Sequence, residues 1–283
     1  STGHGDLIEL EDGRWYVVML GIRGDVKRKS NMGRETFIAP VSWEREPYVW
    51  KERKILWPVI APKSGKIMKN NPVIFSNTTL NKETLFIDDF NDTNLGLKWN
   101  HRRAPMQKMF DLESKPGSLR VYTNANKLQE RKRANFTGIK QTESDFSFET
   151  KMTFSPSSDS DEAGITIVQK DNNFMSFTIK QLNNGISLEL KLMNEIETSL
   201  ASKKIDYNST LPIQLKVESS NNNYHFYYAL ENEKFDLFAI TPADQVLSHG
   251  YTGAHIGLYA TSNGQISTGY ADFDRVEYKS VKK

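Results

Sequence analysis

The chain has no cysteine among its 283 residues, which excludes disulfides, thiolate metal sites and cysteine nucleophiles. Histidine is scarce: there are five, His4, His101, His225, His249 and His255, and none forms the paired-histidine pattern of a zinc site. No Gly-x-Ser-x-Gly elbow occurs, and no glycine-rich loop leads into a helix to hold phosphate. Nucleophilic-triad and nucleotide chemistry are therefore not indicated. No apolar run approaches the roughly 18 residues that a membrane span needs. Neither sign of charge dominates: 37 Lys and Arg stand against 35 Asp and Glu, a net charge of +2. A nucleic-acid partner normally requires a clustered basic face, so none is expected. The one basic run, Arg131-Lys132-Arg133, reads as a solvated loop. Helical periodicity is also missing, apart from a short helix-like stretch around Ala243 to Leu247.

What the chain does have is enough apolar material for a core, at 37% hydrophobic and 11% aromatic residues. The length fits one large domain, or one domain plus part of another. Short strand-like runs open it: Leu7 to Leu10, Arg14 to Gly21 and Phe37 to Trp43, followed by Tyr48-Val49-Trp50 and Ile55 to Ile60. Asp12-Gly13 between the first two predicts a tight hairpin with a type I′ turn. Pro40 favours an edge or irregular position in the third strand. A meander of short strands is the build of a propeller blade. Residues 1–62 are accordingly expected to be the last blades of a propeller and residues 63–84 a linker.

Residues 85–283 are expected to form an antiparallel two-sheet β-sandwich of about ten strands. Phe146, Phe148, Thr150, Met152 and Phe154 alternate along one run and predict a strand with one buried face. The whole chain is thus all-β. Its first and last sandwich strands are rich in Asp, including Asp89 and Asp274. Pairing those strands would gather carboxylates, an arrangement that suits Ca2+; equally, such residues serve as turn and strand-end Asp that accept from backbone N–H groups.

Thr2 to Pro40 is the stretch that reads like a site. His4 lies between two glycines that leave its imidazole unshielded, just before a strand. Arg34 follows a turn and is followed by Glu35. Its planar fork suits a carboxylate or sugar hydroxyls; the alternative is a loop salt bridge between Arg34 and Glu35, with His4 capping a turn.

Four linked motifs carry a resemblance: Gly3-His4-Gly5-Asp6-Leu7, Gly13-Arg14-Trp15-Tyr16, Gly33-Arg34-Glu35-Thr36-Phe37 and Pro40-Val41-Ser42-Trp43. Together they resemble the final blades of glycoside hydrolase family 43, closest to its β-xylosidase type. Pro116 to Arg120, Glu162-Ala163-Gly164, Tyr251 to Ala254 and Tyr270 to Asp274 are similar to the concanavalin-A-like sandwich appended to those enzymes. The resemblance implies a five-bladed propeller followed by that sandwich. It also implies inverting, exo-acting cleavage by three acids that lie in earlier blades. The chain opens without an initiator Met inside its most informative motif, and so reads as the C-terminal portion of something longer.

By the same resemblance Arg34 would contact substrate and His4 would lie near the propeller axis, bound to water or a cation. Tyr251 stands where a pocket-closing Phe usually does, and His255 replaces a second aromatic. The implied substrates are xylan- or arabinoxylan-derived oligosaccharides of the plant cell wall. The implied activity is β-xylosidase or α-L-arabinofuranosidase, in a periplasmic or secreted bacterial protein whose partner would be the missing N-terminal propeller portion. The 283 residues alone are expected to be inactive. The reading from another class is a non-catalytic carbohydrate-binding or structural sandwich, which would need exposed aromatics in a row on one face.

Overall fold

A computed structural model describes residues 2–23, 29–45, 48–68, 85–105, 108–183, 185–231, 233–248 and 252–281. The chain divides into two compact units, Ser1–Lys82 and Glu83–Lys283.

In the small unit, β1 (Thr2–Glu9), β2 (Trp15–Gly21), β3 (Glu35–Trp43) and β6 (Pro58–Ile60) make a four-stranded sheet in that order. All its pairs are antiparallel, as in a propeller blade. A separate hairpin joins β4 (Tyr48–Trp50) to β5 (Arg53–Ile55). Val17, Met19, Ala39, Val41 and Ala61 form the core, with Trp15, Phe37 and Ile67 packed against it. Ile67 falls within the stretch expected to be a linker, so the start of that stretch packs as part of this unit.

The first hairpin differs from the expected type I′ turn. Gly13 N–H donates to Leu10 O at 2.8 Å, Leu10 N–H donates to Arg14 O at 2.9 Å, and only Gly13, at φ 79°, is left-handed. This is a three-residue loop with a glycine bulge. Asp12 favours it by accepting from the Arg14 N–H at 3.0 Å and from Arg14 Nε at 2.7 Å. Pro40 is not on an edge strand, since β3 has neighbours on both sides, but it sits at the irregular place where the pairing with β6 stops. Its carbonyl accepts from Ala61 at 2.8 Å. In an antiparallel strand a residue's N and C=O face the same way. The missing donor therefore points where β6 has already ended.

The large unit is a two-sheet sandwich. One sheet runs β19 (Asp236–Pro242), β18 (Asn223–Leu230), β17 (Ile213–Ser220), β12 (Phe146–Ser155), β21 (Tyr270–Ser280), β10 (Ser118–Tyr122) and β9 (Phe110–Asp111), with β7 (Leu85–Asp88) also paired to β21. The other runs β16 (Ile196–Ile205), β15 (Gly185–Asn194), β14 (Asn173–Leu182), β13 (Glu162–Lys170), β20 (His255–Thr261), β11 (Asn135–Lys140) and β8 (Asn100–His101). Ala243–Val246 is a single 3-10 turn. The first and last strands do pair, with Val276 opposite Asp88.

The alternation in β12 holds: Phe146, Phe148, Thr150, Met152 and Phe154 are all buried. They meet Ile165, Ile167, Phe177, Leu190 and Leu258 of the opposite sheet in one core. Phe177 on β14 and Phe226 on β18 touch across it, with ring centroids 5.3 Å apart in an edge contact. A second apolar cluster lies on the outer face of the second sheet. There Phe136, Val168, Phe174, Met193 and Tyr259 surround Leu128 and Ala134, which belong to the β10–β11 connection. That connection folds over the sheet, and Leu128 is completely buried.

Candidate functional site

His4 lies inside β1, not before it. Gly3 pairs with Leu20 and Gly5 with Met19, which leaves His4 as the extra residue of a bulge. Its backbone is left-handed at φ 49°, a conformation that costs a non-glycine residue about 1 kcal/mol or more and is concentrated at functional sites. A bulge re-aims one side chain out of the alternation. Here it does so on an edge strand whose residues are all exposed within this unit.

Arg34 follows a turn closed by Gly33 N–H to Ser30 O at 3.0 Å, with Gly33 at φ 64°. It immediately precedes β3. Thr2, Gly21 and Glu35 form one row across β1, β2 and β3, so His4 and Arg34 sit at the same end of the small sheet. Both carboxylate oxygens of Glu35 go to Arg23: Nε donates to Oε2 at 2.8 Å and Nη2 to Oε1 at 2.5 Å. Arg23 is 12 residues away, and the β2–β3 hairpin brings it across. In sequence Arg34 is the adjacent candidate partner of Glu35; folding brings Arg23 to both of its carboxylate oxygens.

In the sandwich, His255 opens β20 between Lys140 of β11 and Val168 of β13. Burial holds its imidazole below the usual 6.5, and the positive charges of Lys140 and Arg102 push the same way. A neutral imidazole can donate from one nitrogen and accept at the other. Burial alone likewise depresses His101. Tyr251 lies outside the described residues.

The Asp-rich terminal strands are matched mostly by donors within the sandwich. Asp88 accepts from the Trp99 indole at 2.7 Å and from the Phe90 N–H at 2.9 Å. Asp89 accepts from Arg275 Nη1 at 3.1 Å, and Asp272 from Arg120. Asp274 lines a cleft together with Lys115 and Lys151. Among the described residues no group of three or more acids or histidines is placed to hold a metal ion. Calcium at Asp89 and Asp274 therefore draws no support from this arrangement. The outer face of the second sheet, where a sugar would need open aromatics, is roofed by Leu128. Trp99 is buried.

Residues 87–279 match the family model of the glycoside hydrolase family 43 β-xylosidase C-terminal concanavalin A-like domain. The chain belongs to glycoside hydrolase family 43, β-xylosidase type. It is similar to a non-reducing-end α-L-arabinofuranosidase of Bacteroides ovatus, 29% identical over 99% of this chain and 51% of that protein. It is also similar to a xylosidase/arabinosidase of Butyrivibrio fibrisolvens, 27% identical over 99% of this chain and 53% of that one. The solved structure of the Bacteroides ovatus xyloglucan PUL protein GH43B matches with a TM-score of 0.82 at 28% identity, covering 99% of this chain and 54% of that chain. The chain thus spans about half the length of the curated relatives it matches. No helix among the described residues is long and apolar enough to cross a membrane.

Proposed function

We propose that this chain is the C-terminal portion of an exo-acting, inverting β-xylosidase or α-L-arabinofuranosidase that acts on xylan- or arabinoxylan-derived oligosaccharides. The observation that carries the reading is the shared end of the small sheet, where the bulged His4 of β1 and the turn-borne Arg34 before β3 lie on either side of β2. The names of the relatives, a non-reducing-end arabinofuranosidase and a xylosidase/arabinosidase, support the substrate class. In this reading Arg34 grips sugar hydroxyls through its planar fork, and His4 orients a water or cation. Tyr251 and His255 are assigned to substrate contact by the family resemblance.

Inversion needs one carboxylic acid to protonate the leaving oxygen and one carboxylate to activate water on the opposite face of the sugar. Neither Asp6 nor Glu35 stands at a catalytic position of the family motifs, and Glu35 already faces Arg23. The acids are assigned to a preceding N-terminal propeller portion, which is the proposed partner. Secretion or periplasmic residence goes with a substrate of plant-wall origin.

The test compares turnover of 4-nitrophenyl β-D-xyloside and 4-nitrophenyl α-L-arabinofuranoside by these 283 residues and by the whole gene product. The chain alone is expected to be silent and the whole protein active on at least one of the two. Turnover by the chain alone, or none by the whole protein, would overturn the reading.

A further inference from the structure

The basic run Arg131-Lys132-Arg133 is more than a solvated loop. It lines a cleft of about 800 Å3 in the large unit, together with Arg103 and Lys108. We propose that this cleft binds a carboxylate-bearing saccharide, a uronic-acid-substituted oligosaccharide. The choice of a sugar rests on the proposed function above; the choice of an anion rests on the cleft itself.

The charge comes first. Five cations line one cleft without a lining carboxylate, in a chain whose net charge is only +2. Arg131 Nε is 3.8 Å from Asp171, which it shares with Arg102, and Lys132 is 3.7 Å from Glu130. Arg103, Lys108 and Arg133 meet no carboxylate among the described residues. Like charges gathered without counter-charge repel one another, and they make a concave surface that attracts anions.

Rigidity comes second. The amides of Asn124 and Asn126 donate to the Arg133 carbonyl at 3.5 and 3.0 Å. Asn124 also donates to Asn135 Oδ1 at 3.0 Å, and Asn135 donates to the Tyr122 carbonyl at 2.6 Å. Leu128 and Ala134, on either side of the run, are buried in the outer-face cluster. The backbone that carries the three basic side chains is therefore fixed before any ligand arrives, and a fixed site avoids the ordering cost that weakens binding.

Ligand chemistry comes third. Guanidinium forks match carboxylates. Asn126, also in the lining, donates one amide N–H to Arg133 O and keeps the second for a sugar hydroxyl. The volume is that of a small-ligand site. A nucleic-acid strand would require stacking aromatics, and Met109 is the one apolar residue in the lining. No residue assigned above to substrate contact lines this cleft.

The experiment is calorimetric titration of the 283-residue chain with glucuronic-acid-substituted xylotriose, unsubstituted xylotriose and sodium sulfate. The acidic sugar is expected to bind at least about tenfold more tightly than either control, since hydrogen bonds to charged groups are the stronger ones. Raising NaCl should weaken it. The double variant Arg103→Ala/Arg133→Ala should lose at least about tenfold in affinity. Its melting temperature should not change, because only the backbone of Arg133 holds the loop. Absence of binding, equal binding of the neutral sugar, equal binding of sulfate or an unaffected double variant would each overturn the proposal. Turnover of aryl glycosides by the whole protein is read separately: if turnover is present and uronate binding absent, only the cleft assignment falls.

Discussion

Arg120 on β10 and Asp272 on β21 face each other in register. They are joined by two parallel hydrogen bonds, Nε to Oδ1 at 2.7 Å and Nη2 to Oδ2 at 3.0 Å. The guanidinium carbon lies 3.8 Å from the centroid of the Tyr270 ring, so the fork is clamped on its face as well as its edge. Asp272→Ala leaves that cation without its carboxylate in a mostly buried place. The expected loss is about 2–3 kcal/mol, below the 3–5 of a fully buried pair because Arg120 retains some solvent access. The midpoint of urea unfolding measures it, and a loss below about 0.5 kcal/mol would mean that the pair behaves as a surface ion pair.

Gly257 is the most tightly enclosed of the described glycines in the second sheet. A Cβ added there would lie 2.1 Å from the Thr137 carbonyl oxygen and 2.3 Å from the Gly138 Cα. Both are backbone atoms of the neighbouring strand, which cannot swing aside as a side-chain tip can. Gly257→Ala is therefore expected to cost about 3 kcal/mol or more, the upper end of overpacking. It should appear as insoluble expression or a large drop in melting temperature. An unchanged melting temperature would show that β11 can move away from β20.

Much of this fold is legible in the sequence because a half-buried strand has a period of two. Phe146 to Phe154 and Ile213 to Glu218 carry that period plainly. The polar edge strand Ile196–Ile205 does not: only Ala201 and Ile205 bury appreciable apolar surface. Asp236–Pro242, on the edge of the other sheet, leaves Leu237 and Ile240 exposed. The sandwich therefore has 15 strands among the described residues, not about ten. Bulges are invisible for a related reason. His4 and Arg275 are single left-handed residues inside strands, and nothing in a histidine or an arginine announces that conformation. Arg34 and His4 were legible as candidates through the glycines beside them. The Arg23–Glu35 pair and the basic cleft were not, because each depends on residues that only folding brings together.

His255 makes stability depend on pH. Its folded-state value is held below 6.5, first by burial and then by Lys140 and Arg102. The unfolded chain thus takes up a proton on this group more readily than the folded one. As pH falls below about 6.5, protonation of this group draws the chain toward the unfolded state, so the His255 contribution to stability is full above that value and declines below it. The melting temperature should fall as pH drops from about 6.5 toward 5. His255→Asn should flatten the profile in part, with His101 contributing the same sign of slope. An unchanged slope in the variant would remove His255 from the account.

His4 offers a way to separate structure from function. Its left-handed φ of 49° is a conformation that glycine adopts without cost. His4→Gly should thus hold β1 as well as the native residue does, or better by about 1 kcal/mol. His4→Ala keeps the strain and removes only the imidazole. A purely structural histidine would make the glycine variant the better protein and leave activity alone. A histidine that orients water or a cation beside the sugar would make both variants poor enzymes in the whole protein, whatever their stability. The expected result is lower kcat/KM on 4-nitrophenyl xyloside for both, with slower hydrogen exchange across β1 and β2 for His4→Gly than for His4→Ala. If both variants stay within about twofold of the native kcat/KM, a difference of about 0.4 kcal/mol, the bulge is a device of the fold and His4 leaves the proposed site.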